Sequence, residues 1–352
     1  MLTQSIPSRG AASNPPNRFE KIHLEPDEDW NPEENPLPRT QFFRDRTSTI
    51  IAYNDSPDVG FEASVNPYRG CEHGCIYCYA RPFHDYLGFS SGLEFETKIM
   101  VKEDAPKLLR EELSSPKWKP KVIAMSGVTD CYQPAERRFK LTRGCLEVLA
   151  EFRNPVAIVT KNNLVTRDID VLSRFVPFNG VAVFISLTTL DTELRKVMEP
   201  RTSPPASRLA AIRALSQAGI PVGVLHAPII PGLTDHEIPS LVAAAVEAGA
   251  KYAGYVVLRL PHAVAPLFEQ WLTQHFPEKR EKVLNRIRAM RGGKLNQAQF
   301  GIRMRGNGIF ADQIDALFDV AVRKAGIEGN SPNLSAAAFR RSAAAQLSLF
   351  AE

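Results

Sequence analysis

From Thr97 to about His275, short apolar segments alternate with longer amphipathic ones. The apolar segments are rich in β-branched residues and are continuously hydrophobic, which is typical of strands buried on both faces of a sheet. We predict strands at Lys98–Val101, Val122–Ser126, Val156–Thr160, Val181–Leu187, Val222–Ile230 and Tyr252–Leu260. The intervening helical patterns predict helices at Ala105–Leu113, Glu136–Phe152, Arg167–Phe175, Ser207–Ala218, Ile238–Ala248 and Val264–His275.

Strands that alternate with helices pair in parallel through right-handed crossovers, which gives either a doubly wound sheet or a barrel. Six βα units rather than eight favour a partial barrel. The predicted fold class is therefore α/β, a partial (β/α)6 TIM-like barrel followed by a C-terminal helical appendage.

The segments on either side of this alternation differ in composition. Residues 1–45 are rich in Pro, Asn and Ser, so we expect them to be disordered or extended over the surface. Residues 278–327 predict a basic helical appendage, with helices at about Glu278–Met290 and Phe310–Ala325. Residues 328–352 are expected to form a flexible tail, because residues 328–345 are of low complexity.

The overall composition is that of an ordinary globular protein, with 44% apolar and 23% charged residues in a chain of 352. No run of about eighteen apolar residues occurs, which argues against a membrane-spanning helix. The first residues lack the apolar segment of a secretory signal, so we expect a cytoplasmic protein. The net charge of +4 is too small to indicate a nucleic-acid partner by itself.

Three of the five cysteines, Cys71, Cys75 and Cys78, lie within eight residues, in a loop that also contains Gly70 and Gly74. This clustering does not suit a disulfide framework and indicates a metal site. Three local thiolates can bind a [4Fe–4S] cluster and leave one iron open. The alternatives are zinc, with the intervening His73 as an awkwardly placed fourth ligand, and three unrelated buried cysteines.

The C-x3-C-x2-C spacing, with Tyr77 before the third cysteine, resembles the signature of the radical S-adenosylmethionine (SAM) superfamily. The predicted partial barrel resembles the fold of that superfamily, and the resemblance covers about residues 60–275. It implies a [4Fe–4S] cluster on Cys71, Cys75 and Cys78, with SAM bound at the open iron. It also implies reductive cleavage of SAM to a 5′-deoxyadenosyl radical.

Other short motifs resemble the branch of the superfamily that contains the spore photoproduct lyases, which reverse a thymine photoproduct in DNA. These motifs are Cys78-Tyr79-Ala80-Arg81, Thr129-Asp130, Thr160-Lys161-Asn162, Ser186-Leu187-Thr188 and Glu199-Pro200-Arg201-Thr202-Ser203-Pro204. Those that follow predicted strands stand near the strand ends at which βα barrels form active sites.

The resemblance implies five SAM-binding residues. The backbone around Tyr77 would contact adenine, and Thr129 and Asp130 would hydrogen-bond the amino group. Lys161 would meet the carboxylate or ribose oxygens, and Ser186 the ribose. Taken singly, Lys161 also fits a surface lysine and Ser186 a strand hydroxyl bonded to backbone, but the set at successive strand ends favours binding.

Cys131 and Tyr79 are the candidates for a catalytic hydrogen-return role. The lyases use a cysteine slightly ahead of the matching aspartate, whereas Cys131 follows Asp130. A shift of this size can turn a side chain toward or away from the site, so Cys131 is either a radical-quenching thiol or a small core residue. Tyr79 matches an aromatic position implicated in hydrogen return. Cys145, within a predicted helix, is interpreted as core.

A basic stripe between Lys279 and Arg305 predicts contact with DNA or RNA, although a solvated helix face is the usual role of such runs. The candidate residues are Arg286, Arg288, Arg291, Arg303 and Arg305.

The segment Gln346-Leu347-Ser348-Leu349-Phe350 resembles the short motif by which bacterial replication and repair proteins bind the sliding clamp. Gln346 would supply hydrogen bonds, and the apolar Leu347, Leu349 and Phe350 would supply the hydrophobic contacts, with the last two filling a pocket. The alternative is that this segment packs on the barrel itself.

Together these features predict a radical SAM enzyme, lyase-like, that acts in DNA lesion repair or base modification. It would need an electron donor such as flavodoxin or ferredoxin. One alternative keeps the radical chemistry with RNA, protein or a small molecule as substrate. Another is a non-catalytic metal-binding adaptor for the sliding clamp.

Overall fold

The computed structural model describes residues 5–19, 38–327, 329 and 331–341. The strands in these residues are β1 (Gln41–Arg44), β2 (Ile51–Tyr53), β3 (Ala63–Val65), β4 (Tyr68–Arg69), β5 (Lys98–Val101), β6 (Ile123–Met125), β7 (Val156–Thr160), β8 (Val181–Ser186), β9 (Val222–Ile229) and β10 (Tyr252–Val257). The α-helices are α1 (Leu93–Thr97), α2 (Ala105–Ser114), α3 (Glu136–Phe139), α4 (Leu141–Phe152), α5 (Ile169–Leu172), α6 (Thr192–Met198), α7 (Pro205–Gln217), α8 (Ile238–Glu247), α9 (Val264–His275), α10 (Arg280–Met290) and α11 (Ile309–Ala325).

The main sheet has seven strands in the order β10-β9-β8-β7-β6-β3-β2. Strand β3 and strands β6 to β10 run parallel, and the edge strand β2 is antiparallel to β3. Strand β8, in the middle, is buried at every position, as expected for a strand covered on both faces. Six parallel strands with intervening helices confirm the predicted α/β partial barrel.

The assignment of the first barrel strand is corrected by the structure. The strand predicted at Lys98–Val101 forms, but as β5 it pairs with β1 and β4 in a separate three-stranded sheet. The first barrel strand is β3, which pairs in parallel with β6. Three residues are too few to show a strand pattern in the sequence. The cysteine loop therefore follows the first barrel strand instead of preceding it.

Most predicted helices form within a few residues of their expected bounds. The helix expected at Glu136–Phe152 is divided into α3 and α4 at Lys140, whose φ of +53° is left-handed. Helix α6 was not expected. It begins after Asp191, whose carboxylate caps the first turn by accepting the backbone N–H groups of Glu193 and Leu194.

The basic helical appendage shares the hydrophobic core of the barrel. Val283 and Leu284 of α10 belong to the same apolar cluster as Tyr77 and Trp271. Phe318 of α11 joins the main core beneath the sheet. Residues 278–327 are thus packed against the barrel rather than standing apart from it. No helix in the described part of the chain is both long and apolar enough to cross a membrane.

The described parts of residues 1–45 are extended over the barrel rather than disordered. Gly10 and Ala11 donate their backbone N–H groups to the Glu96 carboxylate at 3.1 and 2.9 Å. The side chain of Asn17 donates to the carbonyl of Asp85 at 2.9 Å. These contacts join the segment to the loops around the cysteines.

Residues 331–341 are also held against the barrel. The Ser335 N–H donates to the Asn179 carbonyl at 3.0 Å, and the Arg340 N–H donates to the Phe152 carbonyl at 2.9 Å. The clamp-like segment, residues 346–350, lies outside the described residues.

Candidate active site

The loop that carries Cys71, Cys75 and Cys78 depends on two glycines for its shape. Gly70 and Gly74 have φ angles of +77° and +67°, in the left-handed region that favours glycine. A Cβ atom on Gly74 would stand 2.7 Å from a carboxylate oxygen of Glu96. The backbone therefore turns tightly at both glycines, within the short stretch of chain that carries the three thiols.

Arg81 fixes this loop from inside the protein. Its buried guanidinium donates to the carbonyls of Gly74 at 3.2 Å and Cys75 at 3.0 Å. It also pairs with Glu96 at 2.5 Å, and both side chains are fully buried. Because Glu96 in turn binds the N-terminal segment, the cysteine loop, α1 and residues 10–11 form one hydrogen-bonded unit. A buried pair with these partners fixes geometry more than it adds stability.

The three thiols fit a [4Fe–4S] cluster better than a zinc ion. Cys71 and Cys75 are buried, Cys78 is partly exposed, and none forms a disulfide. Burial raises the pKa of the Cys71 and Cys75 thiols, so their thiolates need the positive charge of bound iron. Within the described ranges, no group of three or more His, Cys, Asp or Glu side chains is arranged to hold a single metal ion. Three thiolates from one loop suit one corner of a cubane cluster, whereas a structural zinc ion takes four closed ligands.

His73, the candidate fourth zinc ligand, is engaged elsewhere. Its Nε2 lies 3.2 Å from the side-chain amide of Asn162. Its Nδ1 lies 3.3 Å from the Asp130 carboxylate, close enough for an ion pair but not aligned as a hydrogen bond. His73 therefore connects the cysteine loop to the ends of β6 and β7.

Three of the predicted SAM-binding residues come together in one network. The Lys161 ammonium, at the end of β7, donates to the hydroxyls of Ser186 at 2.7 Å and Thr188 at 3.0 Å. The Lys161 ammonium also stands 5.5 Å from the centroid of the Tyr77 ring. The network thus spans two neighbouring strand ends and the cysteine loop.

Glu199, a residue that the sequence analysis did not single out as a site residue, is the acceptor at the centre of this network. It is fully buried, accepts hydrogen bonds from the hydroxyls of Tyr77 and Thr188, and lies 3.1 Å from the Lys161 ammonium. It also pairs with the buried Arg208 of α7. Burial alone would raise the pKa of Glu199, but the Arg208 and Lys161 cations lower it, so Glu199 is ionised.

Glu199 and Thr188 stand in motifs that carried the resemblance, so the sequence held a signal for them. Arg208 gave none, because an arginine in a helix usually points to solvent. Its burial is visible only in the structure.

Asp130 and Thr129 hold the strand ends together. The Asp130 carboxylate accepts hydrogen bonds from the Thr160 hydroxyl and the Lys161 backbone N–H, both at 2.8 Å. The buried Thr129 hydroxyl donates to the Tyr68 carbonyl at 2.8 Å. Asp130 therefore positions Lys161, and contact of either residue with the SAM amino group remains a prediction.

The two candidates for hydrogen return lie in different surroundings. Cys131 is 0% exposed and packs in the main core, as does Cys145, so the structure favours the interpretation of Cys131 as a core residue. Tyr79 is 42% exposed, and its hydroxyl donates to the Gly127 carbonyl at 3.0 Å. We call the surface formed by Cys78, Tyr79 and Gly127 the site mouth. Among the described residues, neither thiol outside the cysteine loop is exposed.

Arg291 was predicted to contact nucleic acid, and this prediction is wrong. Its guanidinium is 1% exposed and donates to the carbonyls of Val257, Leu258 and Arg303 at 2.9, 2.9 and 3.1 Å. These bonds tie α10 to the end of β10. The group therefore has a structural role and cannot reach a phosphate.

The other four candidate arginines, Arg286, Arg288, Arg303 and Arg305, are closer to the surface, and three of them are paired with acids. Arg286 pairs with Asp235 at 2.9 Å, Arg303 with Asp58 at 2.5 Å and Arg305 with Asp315 at 2.7 Å. Arg288 donates to Asn285 at 3.1 Å. The positive charge of the stripe is therefore smaller than the sequence suggests.

The site geometry agrees with a family comparison. The model of the radical SAM superfamily matches residues 65–245, more than half of the chain. The chain belongs to the radical SAM superfamily. Its cofactors are accordingly a [4Fe–4S] cluster and SAM, and Cys71, Cys75 and Cys78 are the residues that fit the cluster.

Relatives and solved structures extend this comparison. The chain is 38% identical over 232 residues to an uncharacterized protein of Mycobacterium tuberculosis, an alignment that covers 64% of this chain and 68% of the relative. It is 30% identical over 233 residues to an uncharacterized protein of Methanocaldococcus jannaschii, with 66% and 83% covered.

Among solved structures, a spore photoproduct lyase variant with bound AdoMet and dinucleoside spore photoproduct has a similar fold. The TM-score is 0.59 at 16% identity, with 84% of this chain and 82% of that chain covered. Another lyase variant gives a TM-score of 0.58 at 17% identity, with 82% and 80% covered. At these identities the likeness concerns the fold alone.

Proposed function

We propose that this radical SAM enzyme acts on a nucleobase in DNA, as a repair or base-modifying enzyme. When bound, the cluster and SAM supply a 5′-deoxyadenosyl radical that abstracts a hydrogen atom from the substrate. The observation that carries the proposal is the connection of the cysteine loop, through Tyr77 and Glu199, to Lys161 and Ser186 at the barrel rim. A polar network of this kind, beside a three-cysteine loop, is suited to binding SAM.

The SAM-binding roles are proposed on the same network. Lys161 and Ser186 carry polar groups suited to the carboxylate and ribose oxygens of SAM, and the backbone around Tyr77 suits its adenine. Asp130 and Thr129 lie at the next strand end, where the Asp130 carboxylate suits the amino group. Glu199 keeps Lys161 and Tyr77 in place through its buried contacts.

The substrate proposal is supported by the site mouth. Tyr79, the residue after Cys78, is 42% exposed and supplies an aromatic ring on which a base can stack. We propose that the Tyr79 hydroxyl returns a hydrogen atom to the substrate radical. The electron donor and a proton then restore the resulting phenoxyl radical to tyrosine. Cys131 would require the core to open before it could take this role.

A comparison of substrates tests this proposal. We expect reconstituted, dithionite-reduced protein to form several-fold more 5′-deoxyadenosine from SAM with UV-irradiated DNA than with undamaged DNA or without DNA. Tyr79→Phe should keep this stimulation and lower the yield of altered base, because hydrogen abstraction precedes hydrogen return. Quantitative chromatography of 5′-deoxyadenosine and of DNA hydrolysates measures both. Equal yields with every DNA would instead favour RNA, a protein or a small molecule as substrate.

The enzyme needs an electron donor, and we propose a flavodoxin or a ferredoxin in the cytoplasm, where reducing conditions suit free thiols. For DNA contact outside the mouth we propose Arg286, Arg288, Arg303 and Arg305, with Arg288 the most available, since it has no acidic partner in the described part of the chain.

The sliding clamp is a second proposed partner, through Gln346, Leu347, Leu349 and Phe350. Deletion of residues 346–352 should eliminate binding to a bacterial sliding clamp, measured by surface plasmon resonance. SAM cleavage should be unchanged, because none of the proposed cluster or SAM-binding residues falls within 346–352. Retained clamp binding after the deletion would show that the motif is coincidental. A protein that binds the clamp but never cleaves SAM would favour the adaptor function.

A further inference from the structure

Arg259 is a cation at the site mouth that has no acceptor for its guanidinium among the residues that the structure describes. It lies two residues after β10, at the carboxyl end of the last barrel strand. Its guanidinium carbon stands 5.3 Å from the centroid of the Tyr79 ring. Among the described residues, neither a carboxylate within ion-pair distance nor a hydrogen-bond acceptor is found for its N–H groups.

The charges around Arg259 make the lack of an acceptor for its guanidinium energetically unfavourable. Burial first, and then the neighbouring Arg303, lower the pKa of Arg259. Asp58 also lies near, but its carboxylate already binds Arg303 at 2.5 Å and the Gly301 N–H at 2.7 Å. A half-buried guanidinium beside a second cation is unfavourable unless a ligand supplies the anion.

Aromatic rings accompany these two arginines. Arg259 stands over Tyr79, and Arg303 stands 4.6 Å from the centroid of the Phe300 ring, which is 53% exposed. Each of the two cations thus lies beside an exposed aromatic ring. Nucleotide-binding surfaces have this composition, since rings stack on bases and guanidinium groups bind phosphates bidentately.

We infer that Arg259 binds a phosphate group of a nucleotide substrate, which stacks its base on Tyr79 at the site mouth. This inference rests on the proposed function, because it places the substrate against the same cysteine loop. The phosphate belongs either to a polynucleotide strand or to a mononucleotide. A lysine would supply the charge but not the planar pair of donors that a phosphate accepts.

Binding measurements on the reconstituted enzyme with SAM test this inference. The probe is a labelled single-stranded oligothymidylate, followed by fluorescence anisotropy at several salt concentrations. Arg259→Gln should weaken binding roughly tenfold. It should also reduce the slope of log K against log salt by about 0.7, the value for one phosphate contact on a single strand. Arg259→Lys should keep the slope and still weaken binding.

The matched control is Arg213→Gln, which removes an exposed arginine of α7 outside the basic stripe and should change neither quantity. Circular dichroism and iron content check that each variant is folded and loaded. Competition by thymidine 5′-monophosphate, with thymidine as the control that lacks the phosphate, distinguishes a polynucleotide strand from a mononucleotide as the source of the phosphate. If thymidine 5′-monophosphate competes and thymidine does not, one nucleotide with its phosphate suffices for binding. If oligonucleotides compete and the monophosphate does not, binding requires a polynucleotide strand.

The inference is overturned if folded Arg259→Gln binds as tightly as the unmodified enzyme, or if its binding weakens without a change in the salt slope. It is also overturned if the unmodified enzyme binds neither probe. Formation of 5′-deoxyadenosine by the unmodified enzyme tests the proposed radical chemistry separately. SAM cleavage together with unaffected binding by Arg259→Gln would reject only the phosphate contact.

Discussion

Glu199→Gln is expected to lower the free energy of unfolding by about 3–5 kcal/mol, because it leaves two cations without their carboxylate. Arg208 is fully buried and Lys161 is partly buried, and both pair with Glu199 in the folded protein. The glutamine keeps the volume of the side chain but not its charge. Denaturant unfolding followed by circular dichroism measures the change.

Glu193→Gln is the matched control for this experiment. Glu193 lies on α6, just before Glu199, and forms an exposed pair with Lys196 at 2.7 Å. Exposed pairs contribute little, so this variant should unfold as the unmodified protein does. If the two glutamine variants prove equally stable, the buried network does not hold the site together as the structure indicates.

Cys75→Ala is expected to abolish both cluster binding and SAM cleavage, since a cluster with two of three thiolates is not retained. The loop itself should still form, because Arg81 binds the Cys75 carbonyl rather than its side chain. The measurements are iron content, visible absorption and 5′-deoxyadenosine after anaerobic reconstitution.

The control is Cys145→Ala, which removes a buried thiol from α4 in the main core. It should lower stability slightly and leave iron content and SAM cleavage unchanged. Equal loss of iron in both variants would point to general destabilisation rather than to a missing ligand.

The barrel and the cysteine site were predictable because their signals are local and repeated. Long strands such as β9 are buried along most of their length, and helices such as α9 bury one face, so that each leaves a clear pattern in the sequence. The cysteine spacing is equally local, since all three thiols share one loop. The sequence indicated that Lys161 and Ser186 lie close together, because the strand ends of a parallel sheet converge on one edge.

Other features depend on long-range contacts that leave no local pattern. Strand β3 has three residues and is defined by its pairing with β6. The burial of Arg208 and Arg291 depends on the carbonyl groups of Ser186 and Leu258, 22 and 33 residues away along the chain. Arg208 depends also on the Glu199 carboxylate. The N-terminal segment looked too polar to pack, yet Gly10 and Ala11 are fixed by Glu96. Composition cannot reveal acceptors of that kind.

The most direct test of the account is the formation of 5′-deoxyadenosine by this protein. After anaerobic reconstitution with iron and sulfide and reduction by dithionite, the unmodified protein should convert SAM to 5′-deoxyadenosine and methionine. Cys75→Ala, treated in the same way, should form none. A colourless, zinc-loaded protein, or an iron-loaded one that leaves SAM intact after reduction, would contradict the assignment of radical SAM chemistry to Cys71, Cys75 and Cys78.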